Sequence, residues 1–123
     1  MKQVLLVFLG GGLGTICRYS VGKWLNTGSD TDFPFGTFTA NILACLLLGY
    51  FISLFSKNEM DIGWSLFIAT GFCGGFSTFS TFALEKFNLF ASGHYFLALT
   101  YLGVSMIAGL IAIYIGIKIG TFS

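Results

Sequence analysis

Charge is scarce in this chain. Only 9% of its 123 residues are Asp, Glu, Lys or Arg, against about a quarter in soluble domains. The formal net charge of +1 leaves no basic patch of the kind that nucleic-acid binding needs. Proline occurs once, at Pro34, and the polar gaps are too short for a linker, a disordered tail or a second domain, so the chain reads as one domain. Histidine also occurs once, at His94 in a polar gap, with no evident partner for nucleophilic or metal chemistry. That argues against an enzyme, and His94 reads as an interfacial residue. Cys17, Cys45 and Cys73 are far apart in apolar segments with no C-x-x-C, so they read as small hydrophobes rather than a disulfide framework or metal site. Lys2 and the apolar run after it lack an A-x-A cleavage pattern, so this end reads as mature protein. No internal repeat relates the two halves.

What the chain has instead is apolar length. It is 55% hydrophobic, and four segments reach the roughly 20 residues that a spanning helix needs. They run over about 4–25, 37–55, 64–87 and 95–119, separated by the polar gaps NTGSDTD, SKNEMD and NLFASGH. Trp24, Trp64 and Tyr95 stand near span ends, as interfacial aromatics do. The expected fold is an all-α integral membrane domain over 1–123 with four transmembrane helices.

Small residues recur every fourth position on three of these spans: Gly10 and Gly14, then Gly71 and Gly75, then Ala108, Ala112, Gly116 and Gly120. Such stripes let helix backbones approach closely, within one subunit or between two. With four spans, Lys2, Lys57 and Lys118 fall on one side of the membrane and Arg18, Lys23 and Lys86 on the other. Three cations face three, or two if Arg18 lies within the membrane, so the positive-inside bias barely instructs orientation. Copies inserted both ways and paired antiparallel would build a symmetric pathway with its site near the midplane. Four short helices hardly enclose a pore alone, which calls for an oligomer in either case.

Polar groups inside a span are costly and are functional candidates by default. Residues 71–82 read GFCGGFSTFSTF, an apolar segment interrupted by glycines and hydroxyls. Gly74-Gly75 removes side-chain restraint and the following hydroxyls compete for backbone hydrogen bonds, which favours a helix break there. A break at membrane depth is tolerated only against protein or a solvated space, and freed carbonyls suit a small hard cation. A tight small-residue crossing with no ion would use the same residues. Phe79 and Phe82 lie three apart on roughly one face, with Ser80 and Thr81 between them. The rings either fill a packing seam or turn their positive edges toward an anion path, where the hydroxyls would replace lost waters. Asn41 either bridges helices or offers its amide donors to an anion. Arg18 either snorkels to headgroups or sets positive charge at a pore mouth. Tyr101 and Ser105, four apart on the last span, either line a polar track or bond neighbouring helices.

Three motifs, GGGLGTICRY at 10–19, PFGTFTAN at 34–41 and GFCGGFSTFSTF at 71–82, occur in an order and spacing that resembles the Fluc (CrcB) family of bacterial fluoride channels. The resemblance covers essentially the whole chain. It implies an antiparallel, dual-topology homodimer in the bacterial inner membrane. Two antiparallel pores would run along the dimer interface and export cytoplasmic fluoride passively. By the same resemblance, the carbonyls of Gly74 and Ser77 from both subunits hold a structural sodium ion, and Phe79 and Phe82 are the pore phenylalanines. Asn41 and Arg18 belong to the vestibule, Ser80 and Thr81 are the hydroxyls beside the rings, and Tyr101 and Ser105 form the track on the last helix. Ser77 stands where threonine is usual, Thr15 where alanine is common, and Gly109 and Ile113 offer no hydroxyl to continue the track.

Two other classes compete. A four-helix multidrug antiporter needs a membrane-embedded carboxylate, and the acids here are Asp30, Asp32, Glu59, Asp61 and Glu85, with none in the first span. An accessory subunit without transport of its own would leave the break and Asn41 unexplained.

Overall fold

The computed structural model describes residues 1–25, 35–57, 61–77 and 79–122. Asp30, Asp32 and Pro34 in the first polar gap, Glu59 in the second, and Thr78 lie outside the described residues. Every described element is helical: α1 (Lys2–Leu25), α2 (Phe35–Ser56), α3 (Ile62–Ser65), a π-helical stretch (Leu66–Cys73), α4 (Gly74–Phe76), α5 (Phe79–Ala91) and α6 (Tyr95–Phe122). Four stretches, Lys2–Trp24, Gly36–Ser56, Ile62–Ala91 and Tyr95–Phe122, are long and apolar enough to cross a membrane. The 22 residues of α2 reach about 33 Å at 1.5 Å per residue, against a hydrocarbon core of about 30 Å. Four helices able to cross a membrane thus stand where the four long apolar segments lie.

The ends are capped by local chemistry. The Asp61 carboxylate accepts from the Gly63 amide at 3.1 Å and starts the third span. Gly93, at φ 86°, takes the left-handed turn that ends α5, and the His94 amide closes back on the Leu89 carbonyl at 2.8 Å. Lys57 donates to the carbonyls of Gly120 and Thr121 at 2.8 and 2.9 Å. That satisfies orphan carbonyls at the negative end of α6 and brings the ends of α2 and α6 to one side.

The small-residue stripes settle into two interfaces inside the subunit. Gly10 and Gly14 of α1 face the third span, where an added Cβ would run into the carbonyls of Phe67 and Phe72. Gly71 and Gly75 face back, against Gly10 and Gly11. The last stripe meets α2 instead: a Cβ on Gly116 would strike the Leu46 carbonyl, and one on Gly49 the Ile113 carbonyl. The α2–α6 contact is the most extensive in the subunit, followed by α1 against the π-helical stretch. Few large side chains are buried, and Phe8, Ile16, Leu110, Ile107 and many others face outward, as hydrocarbon solvent allows. Cys17, Cys45 and Cys73 are free thiols.

The third span is interrupted near its middle, at the first of the hydroxyls that follow the glycine pair. Gly74, Gly75 and Phe76 are helical, and the chain leaves helical geometry at Ser77 (φ −93°, ψ 155°). Two local effects act there. The Ser77 hydroxyl donates to the Cys73 carbonyl at 2.8 Å, and its amide shares that acceptor at 3.0 Å. A side chain bonding four residues back weakens the continuation of a helix. Gly75 makes its close approach to α1 within a helical turn, so its freedom is used for contact rather than for unwinding.

Candidate functional site

Arg18, on the third turn from the end of α1, does not reach for headgroups. Its Nε donates to the Gly75 carbonyl at 3.1 Å, just before the break. The same side chain lines a cavity of about 400 Å³ with Lys23 of α1, Thr37 of α2, and Thr81 and Glu85 of α5. Spacing of four on α5 puts Thr81 and Glu85 on one face, and PFGTFTAN delivers Thr37 opposite them.

Glu85 is the hub of a polar cluster. Its two carboxylate oxygens accept from Thr37 Oγ1 at 2.7 Å and Tyr101 Oη at 3.0 Å. Hydrogen bonds to a charged group contribute about 1.5–3 kcal/mol each. A charge at the centre of a span costs about 2.5–3.5 kcal/mol on insertion scales, so two such donors suffice to offset it. Lys86, counted with the interfacial cations on sequence alone, is buried instead. Its ammonium donates to the Phe82 carbonyl at 2.8 Å and lies 2.9 Å from the Phe82 ring centroid and 3.7 Å from that of Tyr101. With Arg18 and Lys86 held inside, Lys2, Lys57 and Lys118 on one side face Lys23 alone on the other.

Beyond the cluster lie the rings. Phe79 is 80% exposed at the surface of the subunit, and its centroid is 6.3 Å from that of Phe82. Phe82 is half-buried and meets Tyr101 edge-on at 5.1 Å and 61°. Leu89, Ala98 and the fully buried Tyr101 back Phe82. Ser80 is exposed beside Phe79, and Thr81 is half-buried in the cavity wall. The paired hydroxyls of α6 have separate fates: Tyr101 is bound to Glu85, while Ser105 Oγ is buried with no hydrogen-bond partner. Asn41 is half-buried on α2, one turn past Thr37. Gly74 is exposed, with nothing within 4 Å of the place its Cβ would occupy.

Arg18, Thr81, Phe79, Phe82 and Tyr101 thus form a series connected through Glu85, whereas at the break Gly74 is exposed and Ser77 half-buried. Thr37, Glu85 and Lys86 complete the cluster; on sequence alone Thr37 had no role, Glu85 was weighed only as an antiporter acid and Lys86 only as a topology cation. The signals were there: Glu85 is four residues past Thr81 and Lys86 four past Phe82. Among the described residues no group of His, Cys, Asp and Glu gathers as a metal site. An uncharged carbonyl site would have to come from the backbone.

The profile of the family described as CrcB-like protein, Camphor Resistance (CrcB), matches residues 5–117. The protein named fluoride-specific ion channel FluC from Phocaeicola vulgatus is 42% identical over 117 residues, covering 95% of this chain and 97% of its own. Its namesake from Gloeothece citriformis is 42% identical, covering 95% of both chains. The one from Oceanobacillus iheyensis is 39% identical over 123 residues, covering 99% of this chain and 94% of its own. A family match over 5–117 and relatives 39–42% identical over 95–99% of the chain place the chain in the CrcB-like family.

Proposed function

We propose that this protein is a passive, fluoride-selective ion channel that lets cytoplasmic fluoride leave the cell, in the bacterial inner membrane. The observation that carries the reading is a run of contacts: a cavity lined by Arg18, Lys23, Thr37, Thr81 and Glu85, the Glu85 carboxylate bound by Tyr101, and Tyr101 against Phe82, which neighbours Phe79. Fixed cations at the entrance would concentrate anions. Thr81, Ser80 and the amide of Asn41 would replace waters as the ion sheds them. The edges of Phe79 and Phe82 would hold it weakly enough to let it go. Ser105 Oγ, buried with no hydrogen-bond partner one turn past Tyr101, would be a further donor for such an ion. Three relatives that carry the name of a fluoride-specific channel support the same anion. The cellular logic is acid–base chemistry: neutral hydrogen fluoride crosses membranes, releases fluoride in the less acidic cytoplasm, and a passive pore drains the trapped anion.

The working unit in this reading is an antiparallel homodimer with two pores along its interface. Gly12, Thr70, Gly74, Ser80 and Gly103 are exposed on spanning helices, where small and polar residues suit a second protein surface better than lipid. A structural sodium ion at the centre of the dimer fits the break. Ser77 is extended, so its carbonyl leaves the helical register, and Gly74 beside it is unobstructed. Uncharged carbonyls from both subunits would hold a hard monovalent cation and raise the local potential for anions.

The antiporter reading keeps one observation in its favour, the intramembrane carboxylate of Glu85. Its two hydroxyl donors give it a place in a pore wall as well, and liposomes separate the two. Purified protein should release fluoride from liposomes, with a potassium ionophore balancing charge, and retain chloride. Proton-coupled drug uptake abolished by Glu85→Gln would replace the channel with the antiporter, and inert liposomes would leave an accessory subunit. For the dimer, a tag at Ser123 should be labelled from both sides of the membrane. Labelling from one side only would remove dual topology.

A further inference from the structure

Among the described residues, Lys86 is the only buried lysine or arginine, at 8% exposure. It stands five residues before the end of α5, within reach of the interface by snorkelling. Its side chain runs the other way. Helical side chains lean toward the N-terminus, and this one lies over the preceding turn. Nζ donates to the carbonyl of Phe82 at 2.8 Å and stands in the angle between two rings, 2.9 Å from the centroid of Phe82 and 3.7 Å from that of Tyr101. The rings themselves meet at 61°.

An aromatic ring is negative on its face and positive at its edge. A cation seated on the face draws π density toward itself and leaves the edge hydrogens more positive. An anion at the Phe82 edge would feel both the polarised edge and the fixed charge behind it. The ring keeps the two ions apart, so no tight ion pair forms to trap the anion. We propose that Lys86 is a positioning residue that charges the Phe82 ring from behind and sets how strongly its edge attracts fluoride. The proposal rests on the reading of Phe82 as part of a fluoride path. Tyr101 on α6 completes the seat, and Glu85 is the acidic group beside it on the same helix.

The test uses the purified full chain in liposomes with a fluoride electrode, comparing wild type, Lys86→Met, Lys86→Arg and Phe82→Ile, and Lys86→Met combined with Phe82→Ile. Lys86→Met keeps the length and removes the charge. Its initial fluoride efflux should fall about tenfold, with a higher half-saturating fluoride concentration and an unchanged size-exclusion profile. Lys86→Arg should restore most of the loss. In the Phe82→Ile background, Lys86→Met should cost little more, because the ring it acts through is gone. Wild-type-like flux in Lys86→Met, no rescue by arginine, or an equal loss in both backgrounds overturns the proposal while leaving the channel reading intact. Should Lys86→Met fail to yield monodisperse protein, Lys86→Gln takes its place, and the same outcomes support or overturn the proposal. Wild-type protein that passes no fluoride overturns the channel reading and this proposal together.

Discussion

The α2–α6 pair and the third span solve the same problem in opposite ways. The pair is two uninterrupted helices, Phe35–Ser56 and Tyr95–Phe122, brought backbone to backbone by Gly49 and Gly116 and closed at one end by Lys57. A polar side-chain pair, Ser53 with Thr121 at 3.2 Å, sits at that same end. The third span is pieced together from α and π turns, breaks at Ser77, and carries Thr81, Glu85 and Lys86 into the subunit. Its α5 portion touches α6 far more lightly than α2 does. In hydrocarbon, a continuous helix satisfies its own backbone and needs only close packing. A broken one leaves polar groups that must find protein, ions or water. The first arrangement makes a frame and the second makes a site.

The sharpest way to break that contrast is with two glycines. Gly49→Leu would drive a side chain into the Ile113 carbonyl and part the frame. We expect a loss of about 3 kcal/mol or more, read as the absence of a monodisperse detergent-solubilised protein. Gly74→Ala meets nothing within 4 Å in its own subunit, so the subunit should fold. Any loss of dimer by cross-linking, or of flux in liposomes, then comes from across the interface. A dimeric, fully conducting Gly74→Ala would show that no partner atom packs closely against that glycine, while leaving its carbonyl in place.

Next in size are the rings. Phe79→Ile and Phe82→Ile remove the positive edges and keep apolar volume. Each should cut fluoride efflux about tenfold or more while the thermal melting profile moves little for the exposed Phe79. Unchanged flux in both variants would make the stripe a packing seam. Phe82→Ile should cost some stability as well, because Tyr101 and Lys86 lean on it.

The smallest effect belongs to the frame's own cap. Lys57→Met leaves two carbonyls at the end of α6 without their ammonium, a loss of about 0.5–1 kcal/mol at a partly exposed end. Hydrogen exchange should quicken over 118–122 with fluoride flux unchanged. A flux defect of similar size to that of the ring variants would show that frame and site are not separable.

Much of the fold was legible in the chain before any coordinates. Membrane solvent imposes one strong rule, about 20 apolar residues per crossing, and that rule needs no partner to be read. It yielded the four spans, and the scarcity of intramembrane polar groups drew attention to Asn41, Arg18 and the region 71–82. The motif order carried the family. The exact point of the break was less legible, because glycine lowers the cost of leaving a helix without deciding where the chain leaves it. Ser77 and its bond to the Cys73 carbonyl mark the place.

Contacts between distant residues could only come from the folded subunit. The chain says that small residues recur every fourth position; it does not say that the first stripe docks on the third span and the last on α2. It counts Arg18 and Lys86 as cations near span ends, but their true partners are a carbonyl 57 residues away and a pair of rings. It offers Tyr101 and Ser105 as equals, yet packing hands one to Glu85 and leaves the other unpaired. Hydropathy is a property of each segment against one uniform solvent, so local sequence suffices to read it. Pairing depends on which helices meet and at what register, and that choice is made by close packing across the whole subunit.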